Sequence, residues 1–320
     1  MIRASAPGKL MLAGEYTVAI GNSCALSIAV DRRVTVTVEQ GPKWLASSED
    51  MGWDAADAQE DPILAAAIDH ATELGMEGGH IHIASELGAG SDKPGLGASA
   101  AVCVATMGAL HASCGLEPPT LEQCMAVHSV AQGGRGSGYD VATALHGGLI
   151  RFNPSAEGGP TVTPLEWVDG LHARVFFTGQ GASTVAMLGR LQHFREARPS
   201  RAKRCFAELR QSAAAFIDAW VKAELRLLLD SAANVQEALV ELDRKGRIGI
   251  QEGRHARLMS VVEDAGALAR TSGAGGGDCL WAFAESRETL DQVEEKAVEE
   301  GFSALEVDYP SDGLSLETVG

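Results

Sequence analysis

A chain of 320 residues with 45% apolar and 22% charged residues has an ordinary globular composition, long enough for one or two packed cores, which excludes a disordered or fibrous protein. Its 43 acidic against 26 basic residues give a formal charge of −17, so most of the surface repels nucleic acid and anionic membrane. Any phosphorylated ligand must then meet a local positive site of a few Lys or Arg side chains, backbone N–H groups and bound metal.

Residues 1–8 lack the long apolar run of an export signal, and no later stretch approaches the ~20 apolar residues of a membrane span. Six cysteines, none in a CxxC pair, predict a reduced, cytoplasmic setting. Residues 24–38 alternate small or β-branched residues with polar ones and predict a strand at their end. A polar, turn-rich stretch over 41–60 follows; Asp61-Pro62 then opens a helix over 63–74, and 80–83 alternate again as a strand. The almost wholly small or apolar run from Ala98 to Cys114, with Gly115 at the C-cap position, predicts a buried helix. Further helices are expected over about 120–132 and from Asp140 to Gly147-Gly148, then a strand over 149–152 and a linker over 153–170. A strand over 173–178 precedes a helical region, 184–245, broken near Pro199. Residues 254–270 read as a helix, 272–277 as a glycine-rich loop and 279–283 as a strand leaving it. The whole is an α+β chain without internal repeats.

Glycines ahead of a helix let the backbone approach a phosphate, and the free N–H groups and positive dipole end of the helix stabilise the anion. Lys93-Pro94-Gly95-Leu96-Gly97-Ala98-Ser99-Ala100 fits this description, as does a plain tight turn before a core helix. It is no P-loop, because Ala98-Ser99 rather than Lys-Ser or Lys-Thr follows the last glycine. A dinucleotide fingerprint needs an acidic residue ~20 positions on within a parallel βαβ unit, and only Glu117, in a proline-flanked turn, is available. No zinc spacing appears; His80 and His82 share one face of a strand, where surface histidines are common.

Three further segments accompany this loop: Ala6-Pro7-Gly8-Lys9-Leu10 with Gly14-Glu15, Gly136-Ser137-Gly138-Tyr139-Asp140, and Ser272-Gly273-Ala274-Gly275-Gly276-Gly277-Asp278. In their order and spacing the chain resembles the GHMP kinases from Ala6 to Phe283. The resemblance implies a two-domain α+β fold, with an N-terminal domain over 1–160 (ribosomal protein S5 domain 2-like) and a ferredoxin-like C-terminal domain over 161–320. It also implies transfer of the γ-phosphoryl group of ATP, with Mg2+, to a small acid. Within the family the chain is similar to the members that phosphorylate phosphomevalonate: His128 with Ala131-Gln132-Gly133 precedes Gly136, Thr178-Gly179-Gln180-Gly181-Ala182-Ser183-Thr184 follows, and Asp278 closes the third glycine loop. Mevalonate or a sugar is the alternative acceptor, and a ligand sensor that has lost catalysis is a more distant one; a Rossmann oxidoreductase is remote. Two residues depart from the pattern. Ser129 stands where the mevalonate kinases place a glutamate as metal ligand, and Ala98 replaces the first serine of a Gly-Ser-Ser run, leaving Ser99 to contact Mg2+ or the nucleotide phosphates.

Phosphoryl transfer needs positioning and charge neutralisation more than covalent chemistry. Lys9 and Asp140 are the candidate catalytic pair. Lys9 lies between apolar neighbours, where a free amine needs a partner, and Asp140 has a second reading as the N-cap of a helix over 141–146. A phosphate monoester, with a second pKa near ~6, is already ionised at pH 7, so Asp140 would chiefly orient groups and pair with Lys9 rather than act as a base. Glu15, Ser137, Gly138, Tyr139 and the loop residues Gly273, Ala274, Gly275 and Gly276 are the expected acceptor contacts. Arg135 and Lys93 are the nearest cations for the acceptor's phosphate, each with a reading as a surface charge. Ser183 and Thr184 would either contact that phosphate or cap a helix. The expected partners are ATP and a small phosphorylated or hydroxylated acid, without nucleic acid or membrane, in a monomer or homodimer.

Overall fold

A computed structural model describes residues 1–20, 23–50, 52–88, 94–134, 136–181, 184–251 and 253–318, with backbone alone at 55, 184 and 185. The long strand β2 (Ala25–Gln40) organises the first half. It pairs antiparallel with β1 (Ile2–Ala13), with β5 (Gly79–Ser85) over its second half and with β6 (Leu149–Asn153) at its start. A hairpin of β3 (Leu45–Ser48) and β4 (Trp53–Asp57) lies parallel to β5 through β3, and β7 (Thr161–Leu165) continues the sheet from β6. The last strand, β12 (Ser315–Thr318), returns to the free edge of β1 and completes an eight-stranded sheet.

Helices α2 (Ala98–Ser113) and α4 (Tyr139–His146) pack on this sheet, and α1 (Pro62–Glu73) and α3 (Leu121–Ala131) pack in turn on α2. α1 starts where Asp61 accepts the N–H groups of Ile63 and Leu64, and α3 where Thr120 and Gln123 cap each other reciprocally. α2 is the central element: its alanines and Gly108 have little bulk, so the helix is buried on nearly all sides and Leu314 of the C-terminal segment packs against Gly108.

The second sheet has the antiparallel order β11 (Ser303–Ala304), β8 (His172–Phe177), β10 (Cys279–Ala284), β9 (Leu268–Thr271), the split-βαβ order of a ferredoxin-like unit. Alternation along β10 serves two cores. Cys279, Trp281 and Phe283 join the large core shared with the first sheet, α6 (Pro199–Val221) and α7 (Leu225–Gly246); Leu280, Ala282 and Ala284 face a smaller cluster under α8 (Gly253–Asp264) and α9 (Arg287–Glu299). α5 (Thr184–Ala197) precedes α6, and the break at Pro199 falls where it was predicted.

Several elements differ from the sequence reading. β1 has no counterpart in the sequence reading; it contains Pro7 and Gly8, which the strand accommodates at a register shift in its pairing with β2. β3, β4 and β7 lie in stretches read as turn or linker, because strands of four or five residues beside glycines leave little periodic signal. The helix expected over 254–270 ends at Asp264, and Leu268–Thr271 is instead β9, paired to β10. A second break in the long helical region, with Ala223 at φ 54°, separates α6 from α7 without a Pro or Gly to announce it. Two segments beyond residue 160, β7 and β12, belong to the first sheet. Among the described residues no helix is long and apolar enough to cross a membrane.

Candidate active site

The interface between the two sheets brings the predicted motifs together. β1 carries Lys9, only 8% exposed, whose backbone N–H donates to Leu96 O at 2.8 Å while its ammonium donates to Gly95 O at 3.0 Å. The glycine loop is thus tied to β1 by main chain and side chain. Gly95 and Gly97 both have positive φ, 71° and 77°, and both must lack a side chain: a Cβ on Gly97 would lie 2.8 Å from Lys9 Cε, and one on Gly95 2.6 Å from the carboxylate carbon of Asp278. Asp278 itself is held at φ 50°, its N–H donating to Gln180 O and its carbonyl accepting from Thr178.

Two helices open at this point with glycine as N-cap and no side-chain cap, α2 at Gly97 and α4 at Gly138. Their first turns keep the positive dipole end available to an anion, which is the arrangement a nucleotide phosphate requires. Asp140 is the second residue of α4, and its Oδ1 accepts the next N–H, that of Val141, at 2.9 Å. The N-cap reading of Asp140 therefore fails, since Gly138 occupies that position. Ser99 Oγ lies 3.2 Å from His128 Nε2, which the Gln132 amide also approaches at 3.2 Å. With that ring nitrogen as acceptor, the Ser99 hydroxyl proton is engaged and its oxygen lone pairs stay free for a cation.

The electrostatics follow from this crowding. Burial alone would depress the Lys9 pKa, but the adjacent Tyr139 phenol and the Asp140 and Asp278 carboxylates outweigh it and hold the ammonium above its ordinary value. Tyr139 is shifted up, chiefly by burial and against the pull of Lys9, so both groups keep their protons at neutral pH. The Lys9 ammonium sits 5.6 Å from the centre of the Tyr139 ring.

The third glycine loop packs behind this group. The Tyr16 hydroxyl donates to Ala274 O, Gly276 N–H donates to Ile250 O at 2.7 Å, and Gly273, Gly275 and Gly276 all have positive φ. Ser272 exchanges hydrogen bonds with both backbone groups of Met11, and Cys279 Sγ reaches Pro94 O at 3.0 Å. Glu15, expected among the acceptor contacts, is fully buried and pairs with Arg270 of β9 at 2.8 Å; Arg270 also donates to Leu12 O. Desolvation raises the Glu15 pKa against the pull of that guanidinium. Ser137 is half-buried just before Gly138. Lys93, Arg135 and Ser183 lie outside the described residues, as does the side chain of Thr184, the first residue of α5. Asp278 and His128 were visible in the sequence as motif details without assigned roles; nothing in the sequence pointed to Tyr16 or Arg270 beside the loop. No group of three or more His, Cys, Asp or Glu side chains forms a metal cluster among the described residues.

A family model for the GHMP kinases N terminal domain matches residues 62–148, and one for the GHMP kinases C terminal matches residues 221–303. The phosphomevalonate kinase of Streptomyces sp. (strain CL190) is 30% identical, over 89% of this chain and 90% of that protein. The chain belongs to the GHMP kinases. The mevalonate kinase of Archaeoglobus fulgidus is 29% identical over 88% of this kinase and 91% of its own length. The Streptococcus pneumoniae phosphomevalonate kinase, solved with phosphomevalonate and AMPPNP, shares the fold with a TM-score of 0.82 at 17% identity, covering 96% of this chain and 99% of that one. As a GHMP kinase the chain is a phosphotransferase with ATP as donor, and its two-sheet α+β architecture is that of the family.

Proposed function

We propose that this kinase transfers the γ-phosphoryl group of ATP to phosphomevalonate, giving diphosphomevalonate and ADP. The observation that carries the reading is the buried Lys9 ammonium, kept charged by Tyr139, Asp140 and Asp278 beside two uncapped helix starts. A phosphate oxygen of the acceptor would form the new P–O bond as the bond from the γ-phosphorus to the ADP oxygen breaks. Lys9 would neutralise charge on the transferred group, where one fixed donor is worth about 10²–10³ in rate. An acceptor already ionised at neutral pH needs no base, so Asp140 would hold Lys9 and orient the acceptor. Pro94 to Ala100 would line the nucleotide phosphates, and Ser137 to Tyr139 with 273–276 the acceptor. Magnesium, when bound with the nucleotide, supplies charge neutralisation and needs few protein ligands; the Ser99 oxygen and the Asp140 carboxylate are hard donors of the right kind. The choice of acceptor rests on the similarity to the Streptomyces phosphomevalonate kinase.

We take the chain as two units dividing near residue 160, acting in the cytoplasm; all six cysteines are free thiols. Phosphorylation of mevalonate itself is the second reading, favoured by the Archaeoglobus relative. An ADP-release assay with MgATP and phosphomevalonate, mevalonate or a hexose separates the two. Turnover with phosphomevalonate alone is expected. Turnover with mevalonate alone would transfer the assignment to the second reading, and turnover with neither would remove both.

A further inference from the structure

The kinase has far more acidic than basic residues, yet six cations gather around one surface cavity of about 530 Å3: Arg198, Arg201, Arg204, Arg244, Lys245 and Arg247. The fold puts them there. α6 and α7 pack along each other, and the start of α6 meets the end of α7. Arg201 and Arg204, three residues apart, share one face of α6. Arg198 is the N-cap of α6, Arg244 and Lys245 belong to the last turn of α7, and Arg247 is its C-cap at φ 51°.

The protein balances only part of this charge: Arg244, Lys245 and Arg247 lie at the C-terminal, negative dipole end of α7. Glu241 lies 2.7 Å from Arg244 and 2.6 Å from Lys245. Among the described residues Arg198, Arg201, Arg204 and Arg247 make no ion pair. The adjacent Asp243 already accepts the N–H groups of Gly249 and Gln251, at 2.7 and 2.8 Å. Independently, the 23-residue helix α6 begins here without a side-chain cap and with no acidic residue in its first turn, so its positive dipole end offsets the negative end of α7. Like charges at this density repel one another and burden the folded state unless an anion joins them.

The chemistry of the lining selects the anion. Five of the six groups are guanidinium forks, which fit phosphate oxygens in pairs, and four of them are open, since Arg244 already bonds both Glu241 oxygens. The volume suits a small molecule, within the roughly 300–1,000 Å3 of ordinary ligand pockets. One phosphate carries at most about −2, less than the four guanidinium groups that Glu241 does not engage. We propose that this cavity binds a small oligophosphate, a compound with two or more linked phosphate groups, at a site that shares no lining residue with the glycine loops.

The test is calorimetric titration of the full chain with inorganic tripolyphosphate and, separately, with methyl diphosphate, at matched ionic strength, using R201Q/R204Q and R198Q/R247Q. All four positions are exposed, so both variants are expected to fold and to turn over ATP as the parent does. Each should weaken one class of tripolyphosphate sites by about tenfold or more, the loss of two charged hydrogen-bonding groups. Equal retention of methyl diphosphate by the parent assigns the ligand as any diphosphate ester; retention of tripolyphosphate alone assigns an inorganic chain. Unchanged binding in both variants, or equal binding of sulfate by the parent, would overturn the proposal. So would a raised KM for the phosphorylated acceptor in either variant, which would make the cavity part of the acceptor site. Tighter, variant-sensitive binding of a single-stranded RNA oligomer would overturn the small-ligand assignment.

Discussion

Replacing Lys9 by Met tests the site at its centre. Methionine has nearly the length and volume of the lysine stem, so the space that Gly97 leaves for Lys9 Cε stays filled and packing changes little. Two things are lost. The 3.0 Å bond from the ammonium to Gly95 O disappears, leaving a part-buried carbonyl of the nucleotide loop without that donor, a cost of about 1.5–3 kcal/mol. The charge between Asp140 and Asp278 also disappears, and with it the donor proposed for the transferred group, worth about 10²–10³ in kcat under that proposal. The expected result is a fall of unfolding free energy by about 2 kcal/mol in urea and a drop of kcat by two to three orders of magnitude (~10²–10³) in the ADP-release assay. Lys9→Arg should restore stability more than rate, because its planar fork cannot repeat the single bond to Gly95 in so tight a space. If Lys9→Met lost stability as expected but kept kcat within about fivefold of the parent, Lys9 would be a structural tie for the loop and the catalytic assignment would fail.

Three further outcomes are expected. Asp140→Asn should slow turnover of phosphomevalonate less than the equivalent change slows a kinase whose acceptor is an alcohol, a comparison made by kcat under saturating MgATP; equal losses would return Asp140 to the role of base. Arg270→Met leaves the Glu15 carboxylate buried and unpaired, at about 3–5 kcal/mol, whereas Glu15→Gln combined with Arg270→Met should recover part of that loss, and a double-mutant cycle in urea measures how much. His255, buried behind the third glycine loop with its Nδ1 3.2 Å from Ile250 O, is pushed by burial from 6.5 down to about 4. The folded protein therefore binds fewer protons than the unfolded chain, so this stability is full above pH 6.5 and is lost as pH falls toward 4; at about 1.4 kcal/mol per pH unit it amounts to about 3 kcal/mol, and His255→Gln should flatten that part of the urea-midpoint profile.

The sequence carried the local half of this structure. Gly95-Leu96-Gly97 ahead of an alanine-rich run marked the start of α2, Asp61-Pro62 marked α1, and Gly138-Tyr139-Asp140 marked α4, because caps and glycine turns are written within four or five residues. What it could not carry was pairing. β1 was hidden by Pro7 and Gly8, whose tolerance depends on a register shift against β2; β9 was read as helix because its four residues become a strand only through β10. Glu15 stood in a motif, and its pairing with Arg270, 255 residues away, could not be read from there. The six cations around the α6–α7 cavity are likewise scattered over 198–247 and converge only when the two helices fold against each other.

The same long-range ties decide the geometry of the site. Lys9 and Asp278 approach Gly97 and Gly95 from different sheets, so their separation is set by whatever fixes one sheet on the other. Those fixtures are few and specific: Ser272 and the Trp281 indole both bond to Met11, Cys279 reaches Pro94, and Arg270 joins Leu12 and Glu15. Each tie has one end within about six residues of Lys9 or of Asp278 along the chain. A change at the Glu15–Arg270 pair would therefore act on kcat as well as on stability. In this kinase the contact between the two sheets is itself part of the positioning machinery.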